Sequence, residues 1–148
     1  MKILIFTIIA SLNLLSGNLP SCSAQVSTQQ LIGTKWKIIS PADDDEETTW
    51  EFSKSQITEK TTWDNKLYEF KNPYYISNYL PTFYTESLVG KIATGKYLVM
   101  QIGKKHKRTD WYTIQSVNWT TGDLYLFRQR VEDEFGNHDT LIHLKLIK

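Results

Sequence analysis

Apolar and polar side chains alternate with a period of two along most of this chain, and that alternation limits its folds more than any other feature. Trp36 and Ile38 alternate with Lys35 and Lys37, Trp50 and Phe52 with Thr49, Glu51 and Ser53, and Tyr68 and Phe70 flank Glu69. Further runs follow at 97–102, 111–119, 124–131 and 140–147, each rich in Val, Ile, Thr, Tyr, Phe or Trp. A two-residue period places one set of side chains on one face of a strand, and these residue types suit a pleated, half-buried surface. Turn-forming residues punctuate the runs at Lys54-Ser55, Asp64-Asn65, Gly95-Lys96, Thr121-Gly122-Asp123 and Gly136-Asn137. The pattern predicts eight or nine strands, at about 34–40, 48–53, 56–63, 66–71, 74–79, 96–103, 110–118, 123–131 and 139–147. No segment shows a convincing helical period.

Most of these strands are separated by links short enough for hairpins, so sequence neighbours should pair as an antiparallel up-and-down meander. An open meander leaves two edges with unpaired backbone groups, and closure into a barrel removes both. The fold class is therefore all-β, a meander of eight or nine strands closed into a barrel. A barrel of about eight strands is just wide enough to be filled by its own side chains or to hold one small ligand. A β-sandwich is the alternative, and it needs longer crossovers. The one long irregular link, near 80–94, has room for a crossover or a short helix.

The N-terminal residues follow a different rule. Lys2 precedes an apolar run over 3–15, broken only by Thr7, Ser11 and Asn13, and a polar, small-residue exit follows through Gly17, Asn18 and Pro20. This reads as a secretory signal, too short to span a bilayer. Residues 1–24 are thus a signal peptide, 25–30 a polar N-terminal linker, and 31–148 the barrel domain. Cys22-Ser23-Ala24 offers small residues for a cut before Gln25. Leu19-Pro20-Ser21-Cys22 instead resembles a bacterial lipobox, with cleavage before Cys22 and lipid attachment to it. The first reading makes the protein periplasmic or secreted; the second makes it a lipoprotein of the cell envelope, attached to the membrane through an acylated Cys22.

Charge and cysteine content exclude several classes. With 17 basic against 16 acidic residues in 148, the chain lacks the basic excess of a nucleic-acid binder. A single cysteine permits no internal disulfide framework and no cysteine zinc site. His138 and His143 are an odd number apart, so on one flat strand they point to opposite faces, which argues against a metal site with His106. Neither a Gly-x-Ser-x-Gly elbow nor any other activated nucleophile is present. The acidic run 43–47, the basic run 104–108 and Glu132, Asp133 and Glu134 read as solvated loops or turns. No catalytic residue, metal or cofactor is expected, and the protein is not read as an enzyme.

The opening Leu31-Ile32-Gly33-Thr34-Lys35-Trp36 looks like the first strand of a lipocalin or fatty-acid-binding-type barrel. With Trp50-Glu51-Phe52, Gly95-Lys96-Tyr97 and the closing Leu146-Ile147-Lys148, the chain resembles the small exported lipocalin-like (calycin-type) proteins of gut Bacteroidetes. The spacing here is Gly-x-x-Trp, one residue longer than the lipocalin Gly-x-Trp, and residues 40–48 leave no room for a helical lid. The resemblance implies a lipocalin-like barrel whose floor is closed by Gly33 and Trp36, and binding of a small apolar or amphipathic ligand without catalysis. The candidate ligand-binding residues are Trp50, Phe52, Tyr68, Phe70 and Met100, on faces that can line an interior. The rival reading is a filled barrel, a cell-envelope interaction module that holds a protein or glycan through its loops and surface aromatics, with Tyr74, Tyr75, Tyr79 and Tyr84 as stacking residues. In either case the expectation is a monomer.

Overall fold

The computed structural model describes residues 23–41, 46–103, 107–133 and 136–148, with 129–133 and 136–139 described by their backbone alone. The described chain begins with a two-residue strand, β1 (Val26–Ser27), and one helical turn, α1 (Thr28–Leu31). Then come β2 (Lys35–Ser40), β3 (Glu47–Phe52), β4 (Gln56–Trp63) and β5 (Lys66–Ser77). A long link holds a 3₁₀ turn (Glu86–Leu88) and β6 (Thr94–Gly95), and β7 (Tyr97–Ile102), β8 (Arg108–Asn118), β9 (Asp123–Asp133) and β10 (Gly136–Ile147) complete the chain. Eight of these strands form a closed antiparallel barrel in the order β10-β2-β3-β4-β5-β7-β8-β9. The seam is β10 on β2, with Leu144 opposite Ile38 and Leu146 opposite Trp36.

Two expected breaks differ. Gly136-Asn137, expected as a turn, opens β10, with Gly136 paired to Asp133 and Asn137 to Glu132. The strands anticipated at 66–71 and 74–79 are a single strand, β5. Asn72-Pro73 reads as a stop because proline cannot donate to a ladder. Here Pro73 stands where pairing changes sides: Gln56↔Pro73 ends the ladder to β4, and Tyr74↔Met100 begins the ladder to β7. Residues 66–71 consequently have β4 on one side and no strand partner on the other. Lys66 and Lys71 put charge on that free edge, which discourages pairing with another chain. Asp64 and Asn65, both with positive φ, turn the β4–β5 hairpin.

The stretch 25–30, expected as a linker, forms β1 and α1 and closes one end of the barrel. Val26, Thr28 and Leu31 are fully buried there. Ser27 and Gln30 form a reciprocal capping box around the single helical turn. The Thr28 hydroxyl donates to the Ala93 carbonyl and accepts from the Ala93 amide, both at 3.2 Å, which fixes the segment to the end of the long link. At the next step Gly33, with φ of +80°, donates its N–H to Phe52 O at 2.8 Å. Trp36 is 0 % exposed at this floor. Its indole N–H donates to Thr34 Oγ1 at 2.7 Å, and its ring meets Trp119 edge-on.

The long link 78–94 lies against the outer wall. Tyr75 points outward beneath it and is buried, donating through its hydroxyl to Phe83 O and accepting from the Thr85 amide. Its ring packs on Tyr84. Tyr74 points inward and is buried as well. Of the four tyrosines considered as exposed stacking residues, Tyr79 is the strongly exposed one, at 79 %.

Candidate functional site

Inward-facing side chains change character from floor to mouth. The lower half is solid: Trp36, Ile57, Leu98, Met100, Ile114, Leu124, Leu126 and Leu144 are buried and packed as one cluster. Above them four aromatic rings form an edge-to-face chain, Tyr74 to Phe52 to Trp50 to Tyr112, with centroids 5.5, 6.4 and 5.7 Å apart. Such T-shaped contacts set positive ring edges against negative faces and hold the rings in fixed orientations. They make a shelf across the barrel.

Over this shelf lies a cavity of about 400 Å³, bounded by Ile38 of β2, Thr48 and Trp50 of β3, Glu59 of β4, Phe70 and Asn72 of β5, Ile102 of β7, Arg108, Asp110 and Tyr112 of β8, and Arg128 of β9, with Pro41 and Glu46 at its rim. A neighbouring hollow of about 360 Å³ lies under the β4–β5 hairpin between Glu46, Thr61, Trp63, Tyr68 and Phe70. Glu46 and Phe70 are common to both.

Asp110 organises one wall. It is 0 % exposed, and three groups converge on its carboxylate. Arg108 donates from Nε to Oδ1 at 2.9 Å, Arg128 from a terminal nitrogen to Oδ2 at 2.7 Å, and the Tyr112 hydroxyl to Oδ2 at 3.3 Å. Burial, with Asp110 second, pushes the Tyr112 phenol far above its ordinary value, so it stays a donor. Both guanidiniums of the cavity are thereby committed to one carboxylate, in the charge-assisted geometry that makes such pairs strong.

Glu59, on the β4 wall, has no such partner. The Trp50 indole N–H donates to its Oε2 at 3.1 Å, and among the described residues no cationic side chain lies within ion-pair distance. Burial raises its pKa above the ordinary 4.5; the Trp50 hydrogen bond opposes this, Glu46 and Asp110 add to the rise, and the Arg128 charge works against it. Two donors on the wall also lack acceptors: Asn72 Nδ2, on a residue only 4 % exposed, and Arg128 Nε. A buried polar atom without a partner is uncommon in a folded protein and demands an explanation.

The expected site residues divide among three places. Trp50 and Phe70 border the main cavity, and Tyr68 borders the hollow beside it. Phe52 is a ring of the shelf itself and Met100 lies in the packed layer below; neither borders the two cavities. Gly33 and Trp36 are at the floor, and Cys22 lies outside the described residues. Sequence reasoning missed the polar wall altogether. Arg108 was read as part of a solvated hairpin tip, yet it opens β8 and turns inward. The signal was available in strand parity: Arg108, Asp110 and Tyr112 alternate in phase with the buried Ile114, and Arg128 with Leu126 and Leu124.

The loop and histidine readings meet the structure unevenly. Asp43, Asp44 and Asp45, Lys104, Lys105 and His106, and Glu134 lie outside the described residues, as do the side chains of Glu132, Asp133 and His138. Glu46 faces the cavity and accepts from Thr48 Oγ1 at 2.8 Å. A register shift between His138 and Thr140 interrupts the regular parity of β10. His143 is on the outer wall, stacked on Tyr125, with Nε2 2.8 Å from Asp123 Oδ1. Lys145 Nζ donates to the same carboxylate at 2.9 Å. Hydrogen bonds from Thr121, His143 and Lys145 hold the Asp123 carboxyl well below its usual range. This trio is on the opposite side of the barrel wall from the cavity.

No helix among the described residues is long and apolar enough to cross a membrane. Comparison with protein-family models, with curated proteins and with solved structures finds no match to this chain.

Proposed function

We propose that this protein is an exported, lipocalin-like carrier that takes a small amphipathic molecule into the open end of its barrel and holds it by burial, without catalysis. The observation that carries this reading is the cavity over the aromatic shelf, whose wall combines apolar faces (Ile38, Trp50, Phe70, Ile102) with polar atoms that have no partner in the protein. Its volume falls within the range of small-molecule sites, which are concave and mostly apolar with a few placed polar groups. An amphipathic guest fits better than a purely apolar one. An alkane-like guest would desolvate Glu59 and Asn72 and replace none of their hydrogen bonds.

Uptake of a neutral fluorophore, N-phenylnaphthylamine, tests the reading directly through its emission and through energy transfer from Trp50. Wild-type protein should bind it, and Trp50→Ala or Phe70→Ala should each weaken uptake about tenfold, as loss of a central aromatic contact does. His143→Ala, on the outer wall, should leave uptake unchanged. A wild type that takes up no probe returns the function to an envelope interaction module working through its surface. Export and membrane attachment through Cys22 belong to the same proposal. Fractionation of cells carrying Cys22→Ser, and the intact mass of the native protein, test them; an unmodified N-terminus at Gln25 replaces the anchor by simple secretion.

A further inference from the structure

Three groups on the cavity wall have hydrogen-bonding capacity that the protein leaves unused: Glu59 Oε1, Asn72 Nδ2 and Arg128 Nε. Taking the ligand-binding reading as premise, these groups specify what the polar end of the guest must supply. Arg108 and Arg128 already share Asp110, so among the described residues the cavity wall holds no cation without a carboxylate partner to receive an anion. An added carboxylate or phosphate would face Glu59 and Glu46 across the same space. Glu59 is half-buried and has no ion-pair partner among the described residues, Arg128 acting on it only from beyond contact, so a cation brought by the guest would offset its desolvation. The adjacent pairing is favourable: Glu59 lies opposite Phe70 and Ile57 opposite Asn72, so Glu59 and Asn72 are diagonal neighbours on facing strands. Asn72 is more than nine-tenths buried and its amino group is an unused donor on this wall, which calls for an oxygen on the guest.

We infer that the guest is a small amine carrying a neighbouring hydroxyl or carbonyl oxygen, its ammonium seated on Glu59, its oxygen facing the Asn72 amide, and its apolar body against Trp50 and Phe70. An ammonium donates up to three hydrogen bonds and supplies the missing positive charge. Arg128 Nε is a second donor for the oxygen.

The geometry also sets a pH dependence. Glu59 is faced by Glu46 from the rim, by Asp110, Arg108 and Tyr112 from β8, by Arg128 from β9 and by the Trp50 indole from β3. Its proton is held more tightly than that of an ordinary carboxyl. Amine binding requires the ionised form and must weaken as pH falls through that raised value.

Displacement of bound N-phenylnaphthylamine by three competitors of similar size tests the inference: phenylethanolamine, phenylethane diol and phenylpropanoate. The amine should displace the probe at a concentration about tenfold or more below the other two, the scale of a hydrogen bond to a charged group. Glu59→Gln should abolish that preference while still taking up the neutral probe, and wild type should lose the preference on acidification. A tighter-binding phenylpropanoate, or a preference that survives Glu59→Gln, overturns the inference. If the variant takes up no probe, the ranking of the three competitors on wild type decides alone. Failure of wild type to bind the probe at all defeats the carrier reading, whereas probe binding without amine preference defeats only the inference about the guest.

Discussion

Glu59 and Asp110 are carboxylates of one cavity in opposite situations, and substitution should separate them. The unfolded chain ionises Glu59 near 4.5, whereas the folded protein retains its proton to higher pH. Between those two values the folded state binds more protons than the unfolded state, so stability falls as pH rises. The stabilising contribution is complete below 4.5 and is lost through the raised value. Glu59→Gln should remove this decline, leaving the variant at least as stable as wild type at neutral pH; urea unfolding over a pH series reads it, and parallel curves for the two proteins would contradict it. Asp110→Ala should behave in the opposite way. It removes the shared partner of two part-exposed guanidiniums and costs about 1–3 kcal/mol, the range for hydrogen bonds to a charged group. Neither carboxylate was legible by type, because an acidic residue in a sequence reads as solvated until its strand partners are known. What was legible was the parity of Trp36, Trp50, Phe52 and Phe70, since bulky apolar residues in phase identify the inward face without reference to neighbours.

Among the elements, the β4–β5 hairpin is the most exposed, and the conformation of its turn is specific. Asp64 has φ of 49° and Asn65 of 57°, left-handed at both central positions, which suits the twist of a two-residue hairpin. Asn65→Gly should be neutral or slightly stabilising, and Asn65→Val should cost about 1–2 kcal/mol, since a β-branched residue resists that region. Thermal unfolding distinguishes the two, and a tolerated valine would mean that the turn relaxes. The hairpin carries Trp63 and Leu67 at 61 % and 65 % exposure beyond the part of β5 that pairs with β7. Its existence was legible from Asp64-Asn65 and the alternation on either side. The continuity of β5 through Pro73 was not, because a strand that exchanges one neighbour for another midway is a property of the assembled sheet. The same holds for residues 25–30: a polar stretch has no pattern to announce that Val26, Thr28 and Leu31 will be covered by a barrel end.

Closure ties the two ends of the domain together, because β2 and β10 gain their second neighbour only when they find each other. Trp36 sits where that seam meets the floor, facing Leu146 across the sheet. Trp36→Ala should cost about 3–5 kcal/mol, the range for a buried large aromatic, with loss of cooperativity measured by denaturant titration. A smaller loss would show that the floor collapses around the gap. The barrel class itself was legible, since many short alternating strands with tight turns leave few topologies, whereas the hollow upper half depends on which side chains fail to fill it. The closed floor has one more consequence, for how the protein can be held. β2 leaves the floor and β10 returns to it, Ile147 opposite Lys35, while Ala24 hydrogen-bonds to Ile114 O on the way in. A solid support, a fused partner or a bilayer coupled at either terminus therefore stands behind the barrel. Its mouth is then on the side away from the attachment.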